Sequence, residues 1–149
     1  FQYGEATKTT KNYSVAHEQH DQEARLAAKQ ALRYPPVQFT GVQARAVGRG
    51  FAEYFAGTNI DVWACAIMPD HVHLVTGRLP MKVEQLAIRL KGAATRCLME
   101  EELHPFQEIQ TKKNRPPPCF ARGEWKVFLD DEHLLRAIPY VEENPLKDG

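Results

Sequence analysis

Two short apolar runs meeting at a proline turn constrain this chain more than any other feature. Ile60 to Ile67 is apolar on both faces and is predicted to be a strand in the middle of a sheet. Met68-Pro69-Asp70 turns the chain, and His71 to Thr76 forms a second strand antiparallel to the first. Side chains alternate faces along a strand, so His71 and His73 point the same way while Val72 points the other. Any fold must therefore hold a hairpin that displays two imidazoles together at one end.

Helical patterns flank this hairpin. Ser14 to Arg33, rich in Ala, Gln, Glu and Lys, reads as a helix that stops before Tyr34-Pro35-Pro36, because a residue preceding proline avoids the helical region. Thr40-Gly41-Val42-Gln43 fits a capping box. The helix it opens carries Val42, Ala46, Val47, Phe51, Tyr54 and Phe55 on one side and ends at Gly57. A further helix, near Val83 to Leu103, has the stripe Val83, Leu86, Ala87, Leu90, Ala94, Cys97 and Leu98. Its opposite face holds Gln85, Arg89, Gly92 and Arg96, and Gly92 is expected to mark a close backbone approach. Residues 104–123 form a proline-rich basic loop, and Trp125 to Leu129 reads as a short strand. Asp130 or Asp131 caps a last helix that is predicted to end at Asn144-Pro145. This order predicts an α+β domain with a compact antiparallel sheet flanked by helices.

With 149 residues, 43% of them hydrophobic and 26% charged, the chain has the makings of one globular domain over 1–149 rather than a disordered or fibrous protein. Its longest uncharged apolar run, Val62 to Pro69, is too short to span a bilayer, so no membrane partner is expected. No secretory signal is recognisable, and the absence of an initiator methionine suggests a trimmed chain. Cys65, Cys97 and Cys119 are odd in number and form no CxxC pair, which points to reduced thiols and a cytoplasmic setting. The net charge of zero gives no global pull toward nucleic acid. Locally, residues 89–126 hold eight basic against five acidic side chains, which allows a basic surface there.

Two imidazoles on one strand face can grip a metal ion, or can simply be paired strand histidines. The last helix adds a second element. Tyr140 and Asn144 are spaced i, i+4, one turn apart on one helical face. Asn144 can offer an amide oxygen to an ion, and Tyr140 can offer a phenolate once metal and basic groups offset its ordinary pKa of about 10. A hard divalent ion held by two imidazoles and an oxygen would polarise a phosphodiester for in-line attack. Without such an ion, Tyr140 is a sheet-packing aromatic and Asn144 a helix-ending residue before Pro145.

Met68-Pro69-Asp70-His71-Val72-His73-Leu74-Val75, Tyr140-Val141-Glu142-Glu143-Asn144-Pro145 and Gly123-Glu124-Trp125-Lys126-Val127-Phe128-Leu129-Asp130 together resemble the single-tyrosine transposases of the HUH endonuclease superfamily. The group most similar is the REP-associated tyrosine transposases, over about residues 35–149. The resemblance implies a ferredoxin- or RRM-like HUH fold, usually homodimeric, acting on single-stranded DNA beside hairpins. It implies that His71 and His73 bind Mg²⁺ or Mn²⁺ with Asn144 as third ligand. Tyr140 would be the nucleophile that leaves a 5′-phosphotyrosine and a free 3′-hydroxyl. Arg89, Lys91 and Arg96, with Arg122 and Lys126, are candidates for DNA phosphate contacts, though each also suits a solvated basic face.

Three departures from the family pattern bear on this. Pro139, directly before Tyr140, is expected to kink the helix, either displacing the nucleophile or giving it a hinge. Relatives begin with a strand, of which only Phe1 to Tyr3 would remain, so residues 1–34 are expected to be an atypical or truncated helical segment. Neutral net charge is unusual for a DNA-processing domain. These departures motivate a second reading from another class, a domesticated, catalytically silent module that binds hairpin DNA or RNA. A structural metal site using a cysteine is a third, and no cysteine lies at ligand spacing to the histidines.

Overall fold

The computed structural model describes residues 22–147. In chain order these form α1 (Gln22–Gln30), α2 (Gly41–Ala56), β1 (Val62–Ile67), β2 (Val72–Thr76), α3 (Val83–Glu100) and α4 (Asp131–Lys147). The class is α+β, with one two-stranded antiparallel sheet and four helices among the described residues. The chain divides into two compact units. One contains α1 with the residues up to Pro36 and the segment Gly123–Phe128; the other spans Val37–Arg122 and resumes at Leu129. Ser14 to Asp21 of the expected first helix, and Phe1 to Tyr3 of the expected strand remnant, lie outside the described residues.

Local sequence chemistry sets most boundaries in the larger unit. The Thr40 hydroxyl accepts from the Gln43 N–H, and the Gln43 side-chain oxygen accepts from the Thr40 N–H, so the predicted capping box opens α2. The Gln43 amide also donates to the Leu103 carbonyl at 2.9 Å, tying the start of α2 to the chain leaving α3. α3 stops at Glu100, three residues short of the expected Leu103, in a turn built without glycine. Leu103 N–H reaches the Leu98 carbonyl, Glu102 N–H reaches that of Met99, and Glu102 takes φ 57°. The apolar stripe of α3 predicted from sequence is the buried one: Leu86, Leu90, Ala94, Cys97 and Leu98 all lie in the core.

α2 packs on α3 at a point the sequence reading placed elsewhere. A Cβ added to Gly92 would meet nothing within 4 Å, whereas one at Gly50 would stand 2.7 Å from the Ala93 carbonyl oxygen and 2.8 Å from the Ala94 Cα. Gly50 therefore lets the two helix backbones touch. Arg49 makes a two-pronged ion pair with Glu101 beside this crossing.

The hairpin forms as expected, with narrower bounds. Val62 pairs with Thr76, Ala64 with Val75, Ala66 with His73 and Ile67 with Val72, with an irregularity between Val62 and Ala64. Pro69 and Asp70 make the turn, closed by Met68 N–H to the His71 carbonyl at 2.8 Å, and the Pro69 carbonyl accepts from Phe39 N–H at 2.7 Å. β1 is not the central strand predicted from its apolar composition. Among the described residues it pairs only with β2, and Trp63 (43% exposed) and Cys65 face away from the core. Trp125 to Leu129 is irregular chain, not the predicted strand.

Antiparallel partners share a face, so Ala64, Ala66, His73 and Val75 project from the same side of the sheet. α4 covers that side. Val141 is buried against Ala64, Ala66, Met68 and Val75, with Leu134, Ala137 and Ile138 packed around them. The two alanines keep the sheet surface low enough for the helix to approach. Asp130 starts α4 by accepting from His133 N–H at 2.8 Å, and this bond holds its carboxyl below the usual carboxylate range. The helix continues through Pro139 and on past Pro145 to Lys147, rather than ending at Asn144-Pro145. No described helix is long and apolar enough to cross a membrane.

Candidate metal and nucleophile site

The register of the hairpin and the position of α4 together bring His71, His73 and Tyr140 into one place. His73 lies on β2 opposite Ala66, on the face that α4 covers, and His71 follows at the turn two residues earlier. The two rings stand edge to face with centroids 4.7 Å apart, and their Nε2 atoms are separated by 3.1 Å. The Tyr140 ring packs edge-on against His73 at 5.9 Å between centroids. Tyr140 remains 54% exposed. Asn144, one turn further along α4, is 8% exposed and continues the sheet-facing row of Leu134, Ala137 and Val141. Tyr140 is thus at the exposed flank of the buried row, while Asn144 lies within it.

The separation of the two Nε2 atoms bears directly on metal binding. Imidazole nitrogens bind small divalent ions at about 2.0–2.1 Å. Two of them at roughly a right angle around one ion stand about 3 Å apart by simple trigonometry. The observed 3.1 Å matches that spacing. It equally suits one N–H···N hydrogen bond, so the pair is preset for either occupant. Among the described residues no cluster of three His, Cys, Asp or Glu side chains is placed to hold an ion. A hard ion here would take its further ligands from oxygen donors, water and substrate phosphate among them.

Sequence reasoning quoted Asp70 within the motif but gave it no role. Its carboxylate lies 2.6 Å from His71 Nδ1, on the side of the ring away from His73. The available signal was simple: a short carboxylate immediately before a candidate ligand histidine, at a turn that folds it back on the ring.

The candidate phosphate contacts are more scattered. Arg89 and Arg96 are exposed on α3, which packs on α2 and on no other described helix or strand. Lys91 on the same helix donates its Nζ to the Ala121 carbonyl at 3.0 Å. Arg122 is exposed at the end of the proline-rich loop. Lys126 is half-buried in the Gly123–Phe128 segment of the smaller unit. The three α3 side chains therefore sit on an element that does not touch the histidine hairpin.

A cleft of about 270 Å³ opens beside the hairpin turn, lined by Phe39, Thr40, Ala44, Ile67, Met68 and Pro145. It is largely apolar, and it lies between the start of α2, the turn and the last turn of α4. Comparison of the chain with protein-family models, with curated proteins and with solved structures gives no match in any of the three.

Proposed function

We propose that this chain is a metal-dependent single-tyrosine transposase or endonuclease of the REP-associated, HUH type, cutting and rejoining single-stranded DNA next to hairpins. One observation carries the reading: two histidine Nε2 atoms 3.1 Å apart, with the Tyr140 ring packed on the second histidine. A metal pair and a candidate nucleophile, more than sixty residues apart in sequence, meet on one face of the sheet.

In this reading His71, His73 and Asn144 would hold Mg²⁺ or Mn²⁺, which would supply charge to polarise the scissile phosphate. Tyr140 is exposed enough for a DNA strand to reach its phenol oxygen, and its ring is steadied against His73. The Tyr140 hydroxyl gives its proton to water, its oxygen attacks phosphorus to form a new O–P bond, and the bond to the 3′ oxygen breaks. The products are a 5′-phosphotyrosine and a 3′-hydroxyl that takes a proton from water; rejoining is the reverse attack by a 3′-hydroxyl. Arg89, Lys91, Arg96 and Arg122, and Lys126 on the smaller unit, are the candidates for contacts to backbone phosphates. A homodimer and a complete HUH fold belong to the same proposal. The antiparallel hairpin with its histidine face under α4 is consistent with the fold part of that proposal.

The test is direct. Hairpin-bearing single-stranded DNA incubated with Mg²⁺ or Mn²⁺ yields a protein–DNA adduct that survives denaturation, and Tyr140→Phe yields none. An equal adduct from Tyr140→Phe removes the proposed nucleophile. Tight hairpin binding without any adduct, under every divalent ion tried, favours the silent binding module instead.

A further inference from the structure

We propose that Asp70 is a positioning residue that fixes the proton of His71 on Nδ1, so that its Nε2 lone pair always faces the metal position, and that His73 alone changes tautomer when an ion binds. The inference rests on the metal reading above and assigns a distinct task to each of three neighbouring side chains.

An ionised carboxylate can only accept hydrogen bonds, so the Asp70 oxygen 2.6 Å from His71 Nδ1 requires a proton on that nitrogen. In a neutral ring the other nitrogen, Nε2, then carries the lone pair. A free imidazole side chain intrinsically prefers its proton on Nε2, the arrangement that would aim a hydrogen at the ion. Asp70 reverses that preference, as a carboxylate behind a ligand histidine does in metal sites generally. Its position in the Pro69-Asp70 turn makes the reversal local, because the turn brings the carboxylate back over the next residue's ring.

The consequence for His73 follows from the 3.1 Å between the two Nε2 atoms. His71 Nε2 is an acceptor, so in the metal-free protein His73 donates from its own Nε2. An ion between the rings needs lone pairs from both. His73 must then move its proton from Nε2 to Nδ1, with no change in the total number of protons, while His71 changes nothing. One ligand is preset and the other is a two-state element.

Nitrogen-15 NMR of the imidazole rings at about pH 8, where an imidazole is ordinarily neutral, reads this without any DNA. In the metal-free parent, His71 is expected as the Nδ1–H form and His73 as the Nε2–H form. Addition of Mg²⁺ converts His73 to Nδ1–H and leaves His71 as it was. Asp70→Ala returns metal-free His71 toward Nε2–H and weakens Mn²⁺ binding, measured by calorimetry, about 10–100-fold. Asp70→Asn, whose amide oxygen can still accept, keeps the His71 tautomer and recovers part of that affinity. Asp70 is solvent-exposed, so neither change threatens the fold. If the parent binds the ions but Asp70→Ala matches it in both tautomer and affinity, this proposal falls and the metal reading stands. A parent that binds neither ion overturns the metal reading, and this proposal with it.

Discussion

The α2–α3 pair and α4 are helices of similar length held in place by opposite means. α2 and α3 meet backbone to backbone at Gly50, bury Val47 and Leu98 completely, and are clamped at one edge by Arg49 and Glu101. α4 packs on the sheet through Leu134, Ala137, Ile138 and Val141, above a surface lowered by Ala64 and Ala66. Its backbone is weakened twice, since neither Pro139 nor Pro145 has an N–H to give to the preceding turn. Under the proposed function, the difference separates support from chemistry. The tight pair gives the larger unit much of its buried core, and the looser helix presents Tyr140 half-exposed beside two histidines.

That contrast can be broken by substitution. The largest expected effect is Pro139→Ala, which restores a hydrogen bond to the Leu135 carbonyl. It should raise unfolding free energy by up to about 3 kcal/mol in denaturant titration. Adduct yield is the second readout, and a more stable variant that cleaves as well as the parent leaves Pro139 no hinge role. Next, Gly50→Ala should destabilise by about 1–3 kcal/mol, because its Cβ meets backbone that cannot step aside. Gly92→Ala, on an exposed face with open space, should do the reverse and stabilise by about 0.5–1 kcal/mol. Equal effects from the two glycine substitutions would mean that the α2–α3 crossing is not as close as described.

The smallest effect is on the pH dependence of stability. Burial lowers the pKa of His104 below its ordinary 6.5. The unfolded chain therefore takes up a proton that the folded chain refuses, and stability should decline as pH falls below about 6.5. Asp130, held low by its bond from His133 N–H, adds a further loss of stability in the acid range, below the ordinary aspartate pKa of about 3.9. Burial pushes the Cys119 thiol up to about 11 from 9.0, so stability should also fall as pH rises through that window. A melting-temperature profile should show a plateau between the histidine and cysteine limits. His104 and Cys119 lie outside α4, so adduct formation need not follow the same curve.

How much of this was legible in the sequence depended on how local the cause was. Thr40 and Gln43 announced the start of α2 because a capping box needs only its own four residues. The α3 stripe and the hairpin were equally plain, since each follows from periodicity. The proximity of the two histidines was also readable from their spacing, although His71 sits at the turn just before β2 and only His73 lies on the strand. What failed were features set by distant neighbours. Gly92 and Gly50 look alike in sequence, and only the path of the partner helix decides which one is needed. Pro145 reads as a stop signal, yet the sheet contacts of Val141 and its neighbours carry α4 past it. Trp125 to Leu129 has strand composition but, among the described residues, no strand beside it to pair with. The role of Asp70 was hidden for a different reason: it depends on which ring nitrogen the turn brings within reach.

The most direct test of the central claim is to locate the covalent bond. Adduct formed on hairpin-bearing single-stranded DNA with Mn²⁺ is digested with nuclease and protease, and the modified peptide is sequenced by mass spectrometry. The account predicts a nucleotide phosphate on the hydroxyl of Tyr140 and on no other residue. A phosphate on a different side chain, or cleaved DNA with no modified peptide, would contradict it.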